Sequence, residues 1–298
     1  MKQSLSDKCF DVFVRVFAIF ITITALYPMY FILIASFSEP YAVASGKVFL
    51  FPHGFTLNAY KYMLRNSSIW RGYFNSIYVT FLGTLYNLML CIPAAYSLSK
   101  NKLFAKKSVT WFFLIIMYFS GGMIPGYLLV KSLNLLNKPY TMIFLNGISV
   151  YNMIVTRSFF QNSIPEEIFE AAYIDGSGEM GVFFKIALPL SKPIIAVMAL
   201  FFALSRWNDY FTAMIHLSNS KYFTLQLVLR NILITASEAI LDTSHMSPDE
   251  FEAAKYTAYM AEAMKYALIV ISSAPLLVAY PLVQKHFVKG VMIGTVKG

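Results

Sequence analysis

The chain has 298 residues, of which 58% are hydrophobic and only 13% charged, with a formal net charge of +9 at pH 7. An ordinary soluble domain is about half apolar and a quarter charged, so this composition, with a mean hydropathy of +0.59, excludes one and points to a lipid bilayer. The excess of basic residues fits membrane orientation and anionic headgroups, and no basic cluster interleaved with aromatic residues suggests a nucleic-acid partner.

A hydrocarbon core of about 30 Å needs roughly 20 apolar residues per helix. By that measure the sequence predicts about six spans in one membrane domain covering 1–298, at 12–37, 73–98, 109–133, 140–161, 190–217 and 266–284. Ala42-Val43-Ala44 after the first span resembles a signal cleavage site, but the apolar run is too long for a usual signal peptide, so an uncleaved helix is expected. Turn residues around Pro52 and Gly54 then lead into a short amphipathic helix from Asn58. Asn75-Ser76 opens the second span, where a helix cap or a polar pathway explains the pair equally well, and Pro93 within that span predicts a bend. In the third span Gly122 and Gly126 have GxxxG spacing but enclose Pro125, which predicts a broken or kinked helix.

Basic residues cluster before and at the start of the first span (Lys2, Lys8, Arg15), between the second and third (Lys100, Lys102, Lys106, Lys107) and after the last (Lys285, Lys289, Lys297). The positive-inside rule therefore places both termini in the cytoplasm, and counting spans puts 163–189 there too. Cys9 and Cys91 occupy positions that do not favour a disulfide, and His53, His216, His245 and His286 lack metal-ligand spacing.

The polar island Ser163–Pro189 reads SIPEEIFEAAYIDGSGEMGVFFKIALP. Ser163 and Glu166 have capping-box spacing with Pro165 in the first turn, which predicts a helix over 164–175 about 18 Å long. Glu166, Glu167 and Glu170 suit its positive end, Ala171 and Ala172 keep its surface thin for close approach, and Asp175-Gly176 ends it. A second short helical turn over 179–186 precedes a redirection at Pro189. Such a helix can dock in a groove or lie on lipid headgroups.

The fifth span is interrupted by Arg206, Trp207, Asn208, Asp209 and Tyr210. A charge at a helix centre costs roughly 2.5 to 3.5 kcal/mol on insertion scales, so these residues should line a polar pathway or pair with each other, Arg206 and Asp209 being three apart. In the connection 218–265, Ser247-Pro248-Asp249 opens a helix expected through Met264, whose acidic start suits solubility or an outside partner.

The order Glu170-Ala171-Ala172, three residues, Gly176, nine residues, Ile186-x-Leu188-Pro189 resembles the cytoplasmic signature loop of bacterial ABC importer permeases, with every element at the family's spacing. Trp207-Asn208-Asp209-Tyr210 resembles the W-N-[DE]-aromatic sequence of sugar-importing permeases, and Asn75-Ser76 resembles the pair that opens their second span. The stretch from Tyr280 to Gly294, with Lys297-Gly298, resembles the tail of the oligo- and polysaccharide branch of carbohydrate-uptake permeases. The resemblance implies an all-α integral membrane protein of the type I ABC importer permease fold in the bacterial cytoplasmic membrane. It further implies that Glu166, Glu170, Ala171, Ala172, Asp175, Gly176, Ile186, Leu188 and Pro189 form a coupling helix and its flank, seated on one of two ATPase subunits.

The same resemblance implies a second permease subunit, an extracytoplasmic solute-binding protein met by the 218–265 loop, and a tail with Lys289, Gly290 and Gly294 that contacts the ATPases. Arg206, Trp207, Asn208, Asp209, Tyr210 and Asn75 become translocation-pathway candidates for an oligosaccharide. ATP and Mg are expected only on the partner ATPases, since the chain carries no G-x-x-x-x-G-K-[ST] loop, and no enzymatic or metal site is expected here. A secondary transporter is the rival reading, and it would work without ATP.

Overall fold

Inside a bilayer a backbone without water must pair its polar groups within its own segment, which favours helices. The computed structural model describes residues 5–101, 103–238 and 248–291, and among them there is no strand. In chain order the helices are α1 (Leu5–Ser36), α2 (Pro40–Ala44), α3 (Asn58–Arg65), α4 (Ser67–Ser99), α5 (Lys106–Tyr118), α6 (Met123–Ser132), α7 (Thr141–Phe144) and α8 (Val150–Asn162). They continue with α9 (Glu166–Ile174), α10 (Glu179–Val182), a π-helical turn at Phe183–Ala187, α11 (Leu188–Leu190), α12 (Lys192–Trp207), α13 (Phe211–His216), α14 (Leu225–Glu238) and α15 (Pro248–Val291).

Among the described residues three helices are individually long and apolar enough to cross a membrane: Phe10–Ser36 in α1, Ser67–Ser99 as α4, and Lys255–Val278 within α15. Two bent pairs reach that length together, α5 with α6 turned by 111° and Glu179–Leu190 with α12 turned by 77°. The six continuous spans expected from hydropathy are therefore corrected in three places. The fourth, 140–161, is divided by 145–149 into α7 and α8, neither of them a span alone; the fifth stops at Trp207; the last is continuous with the helix predicted before it, as α15.

The break in the third span falls at 119–122, where Gly122 takes φ +86°. Pro125 sits in the first turn of α6, where its missing donor costs little, so the proline starts a helix here instead of kinking one.

Contacts group the single expected domain into two compact units, one with the described residues up to Ile69 and Leu229–Ala274, the other with Trp70–Val228 and the described residues from Pro275 on. In the first, Ile34, Ala35, Ala42, Val43 and Val48 form the core with Phe31 and Tyr266 against it. Phe37 stacks between Phe55 and Tyr60, and the Tyr60 hydroxyl donates to Ser36 Oγ at 2.8 Å. The second unit's main core joins Cys91, Ala95 and Tyr96 of α4 to Met153 and Phe160 of α8, Phe169 and Ala172 of α9, Phe183, and Met198 and Phe202 of α12.

Candidate functional site

The 163–190 segment is anchored along one face and open along the other. Phe169 and Ala172 of α9 are buried in the core, while Glu166, Glu167, Glu170 and Ala171 are exposed. Successive helical residues lie about 100° apart, which divides the alanine pair. Ala171 faces outward as expected for close approach; Ala172 faces its own chain, a correction to the reading that both thin an outer surface. Large apolar groups that no described residue covers continue the outer face: Ile174 at 86% exposure, Met180 at 74% and Phe184 at 58%.

The capping box is also corrected. Ser163 is the C-cap of α8, and Pro165 precedes α9 with no side-chain cap, so the helix spans nine residues, about 13 Å, in place of 18 Å. Its end forms as predicted: the Gly176 amide donates to Tyr173 O at 3.1 Å and the Ser177 amide to Ala172 O at 2.9 Å, the paired bonds of a Schellman motif, with Gly176 at φ +80°. The turn expected over 179–186 becomes α10 and the π-helical stretch Phe183–Ala187. Ile186 and Leu188 rest against the core, exposed Pro189 lies in α11, and the chain turns by 77° before α12.

A joint that composition did not reveal ties this segment to α4. The Lys100 ammonium lies over three rings, 3.5 Å from the centroid of Phe169, 4.7 Å from Tyr96 and 5.9 Å from Tyr173. Tyr96 also meets Phe183 at 5.0 Å and Phe160 at 5.4 Å, so one residue of α4 joins α8 to the π-helical turn beneath α9. Burial lowers the Lys100 ammonium from its ordinary range, and the carboxylates of Glu179 and Glu166 oppose that shift. The Tyr173 hydroxyl donates to Glu179 Oε2 at 2.8 Å; burial first, and then that bond, push its phenol upward. Lys100 entered the sequence reading only as a positive-inside charge; the aromatic residues four before it and 69 after it were the available signal.

The structure separates the predicted pathway cluster. Arg206 is only 6% exposed and makes no ion pair with Asp209. Its Nε donates to Asn87 Oδ1 at 3.0 Å, its Nη1 to Met142 O at 2.6 Å, and its Nη2 to Ile143 O at 3.3 Å and Asn146 O at 3.2 Å. The broken fourth span leaves helix-end carbonyls without partners, and the guanidinium satisfies them. Asn87 Nδ2 closes the same loop onto Asn146 O and Gly147 O at 2.8 and 2.7 Å. Gly83 admits the arginine, since a Cβ there would meet Arg206 Nε at 3.0 Å.

Trp207 is buried edge-on to Tyr73, with ring centroids 5.8 Å apart, so it offers no face to a sugar. Asp209 Oδ1 accepts the Thr212 amide at 3.0 Å and starts α13. Asn208 and Tyr210 alone of the five are exposed.

Asn75 lies within α4, eight residues past its first residue, so the cap explanation fails. Its Nδ2 donates to Lys221 O and Phe223 O, both at 2.9 Å, while Ser76 Oγ accepts the Leu225 amide at 2.8 Å. Asn137 Oδ1 holds the other side of this turn, accepting the amides of Ser218 at 3.2 Å and Asn219 at 2.9 Å. Between α4 and the turn lies a cleft of about 600 Å³, with Arg71, Asn75 and Tyr78 on one wall and residues 219–222 on the other. Of the predicted tail, Lys289 and Gly290 fall in the last turn of α15, and Gly294 lies outside the described residues. No group of His, Cys, Asp and Glu suited to a metal occurs among the described residues.

Residues 67–293 match the family described as the binding-protein-dependent transport system inner membrane component. YtcP, the polygalacturonan/rhamnogalacturonan transport system permease protein of Bacillus subtilis (strain 168), is 37% identical over 298 residues, covering 99% of this chain and 100% of the relative. Protein LplC of the same strain is 38% identical over 302 residues, covering 100% and 98%. Among solved structures, a chain of a bacterial ABC transporter involved in the import of the acidic polysaccharide alginate superposes with a TM-score of 0.82 at 32% identity, covering 96% of this chain and 99% of that one.

Proposed function

The chain belongs to the inner membrane components of binding-protein-dependent transport systems, and from that membership we propose how its partners and cargo are arranged on it. It is a multi-pass permease subunit of an ABC importer for oligosaccharides and not itself an enzyme; ATP is hydrolysed by separate ATPase subunits. The proposal seats an ATPase subunit on the outer face of the 163–190 segment, with Glu170, Ala171, Ile174 and Gly176 at the contact and Met180 and Phe184 beside it. The carrying observation is that this segment is bound into the core by Phe169 and Ala172 while large apolar groups stand uncovered opposite. Uncovered apolar surface of that kind marks a protein or membrane contact, and carboxylates on the same face favour a protein partner over anionic lipid.

In this arrangement ATP and Mg bind on the ATPase pair, both termini lie in the cytoplasm, and a second, different permease subunit completes the pore. Residues from Lys289 onward, including Gly290 and Gly294, reach toward the ATPases. Asn208 and Tyr210 remain as pathway candidates, because Arg206 and Trp207 are occupied inside the chain. The Lys100 joint passes the displacement of α9 to α4, since rings packed around a cation move with it. The cargo is an acidic oligosaccharide, a reading supported by relatives whose names specify polygalacturonan and alginate.

Ile174→Glu tests the seat directly: it alters an exposed side chain, so the permease should solubilise as before while ATPase subunits are lost on co-purification and coupled uptake falls about tenfold or more. Full recovery of ATPase and normal uptake with this variant would remove the segment from the interface.

A further inference from the structure

Along α4 the positions 71, 75 and 78 are spaced i, i+4, i+7 and so share one face. Arg71 and Tyr78 on that face are exposed. The wall opposite them is fixed from both ends: Asn75 grips the carbonyls of Lys221 and Phe223, and Asn137 grips the amides of Ser218 and Asn219. Two cations, Arg71 and Lys221, are thereby mounted on a braced scaffold, and Tyr78 and Tyr222 line the same space. No acidic residue lines the cleft, and no ion pair among the described residues engages either cation. Its volume of about 600 Å³ falls within the roughly 300–1,000 Å³ of small-ligand sites. The helix rises about 42 Å between Arg71 and its last residue, Ser99, so the cleft lies at the end of α4 away from the proposed ATPase seat.

We propose that this cleft is a carboxylate-reading site for a uronate residue of the arriving oligosaccharide. The Arg71 guanidinium presents a planar fork to the carboxylate and Lys221 adds a point charge, while the tyrosines face the sugar ring. A cation pair carried on a braced backbone without a neutralising acid selects an anion over a neutral sugar of equal size. Asn75 is a positioning residue here, since its amide holds the Lys221 turn. The proposal rests on the acidic-cargo reading above and names where that cargo is recognised.

The test uses the complete transporter, with both permease subunits, ATPases and binding protein, in proteoliposomes supplied with trigalacturonate or its neutral methyl ester. The double variant Arg71→Gln/Lys221→Gln should lower the ratio of acid to ester uptake by tenfold or more, and Arg71→Lys with Lys221 intact should recover part of that ratio. An unchanged ratio overturns the proposal. So does an equal fall for acid and ester, which would assign the cations to carboxylates of the binding protein or to lipid phosphate. A wild-type transporter that imports neutral arabinotriose and neither galacturonate probe sinks the acidic-cargo reading itself, and the cleft assignment with it.

Discussion

Arg206 and Lys100 are both cations drawn out of water in one compact unit, the first among carbonyls and the second beneath aromatic rings. The arginine is a planar fork whose nitrogens meet Asn87, Met142, Ile143 and Asn146 at once, an arrangement that tolerates little rotation. The lysine is a point charge attracted to the faces of three rings at once, with no directed hydrogen bond needed to hold it there. One region is thus a clamp that ties a broken span together, the other a contact between α4 and α9 that the proposed ATPase seat would load. The difference separates a charge held by directed hydrogen bonds from one held by ring faces, which hydropathy alone could not do.

The largest expected effect breaks the clamp. Arg206→Lys keeps the charge but cannot reach four acceptors set in a fork, and each buried acceptor left unpaired costs about 1–3 kcal/mol. Solubilised protein should lose its sharp elution peak and melt at markedly lower temperature; a well-folded variant altered only in cargo preference would return Arg206 to the pathway. Next comes Gly176→Ala. A Cβ there meets nothing within 4 Å, so the cost is conformational alone, about 1–2 kcal/mol at φ +80°. Thermal melts should show Gly176→Asn costing less, and equal losses for the two would point to a hidden steric cause.

Smallest in stability is Lys100→Met, expected to cost about 1 kcal/mol or less, as an aliphatic chain still packs against Phe169 and Tyr96. Its ATP-driven uptake should nonetheless fall several-fold with the complex intact. Unchanged uptake would deny the joint, and unfolding on the scale of Arg206→Lys would make it a second clamp.

Much of the 163–190 segment was legible beforehand. The Gly176 stop follows from a conformation glycine adopts freely, and the exposure of Glu170 and Ala171 fits a docking helix. The capping box was misread because Ser163 was claimed first by the end of α8, a competition that spacing does not express. The polar run 206–210 was recognised as unusual, yet its residues divide between inside and outside once the helix stops at Trp207. The basic cleft was missed because Arg71 and Lys221 are 150 positions apart.

The sequence by itself determined the membrane class, most of the long apolar helices, the signature loop with its glycine stop, and the family those features imply. These are local or periodic properties, carried by lengths of apolar residues and spacings within one helix or turn. Tertiary structure alone decided that Ala172 turns inward while Ala171 turns out, that Lys100 sits under three rings, and that Arg206 reaches a carbonyl 64 residues away. Such partnerships depend on which segments meet and in what register, and a buried charge takes the partners that packing brings within reach, whatever its neighbours in the chain.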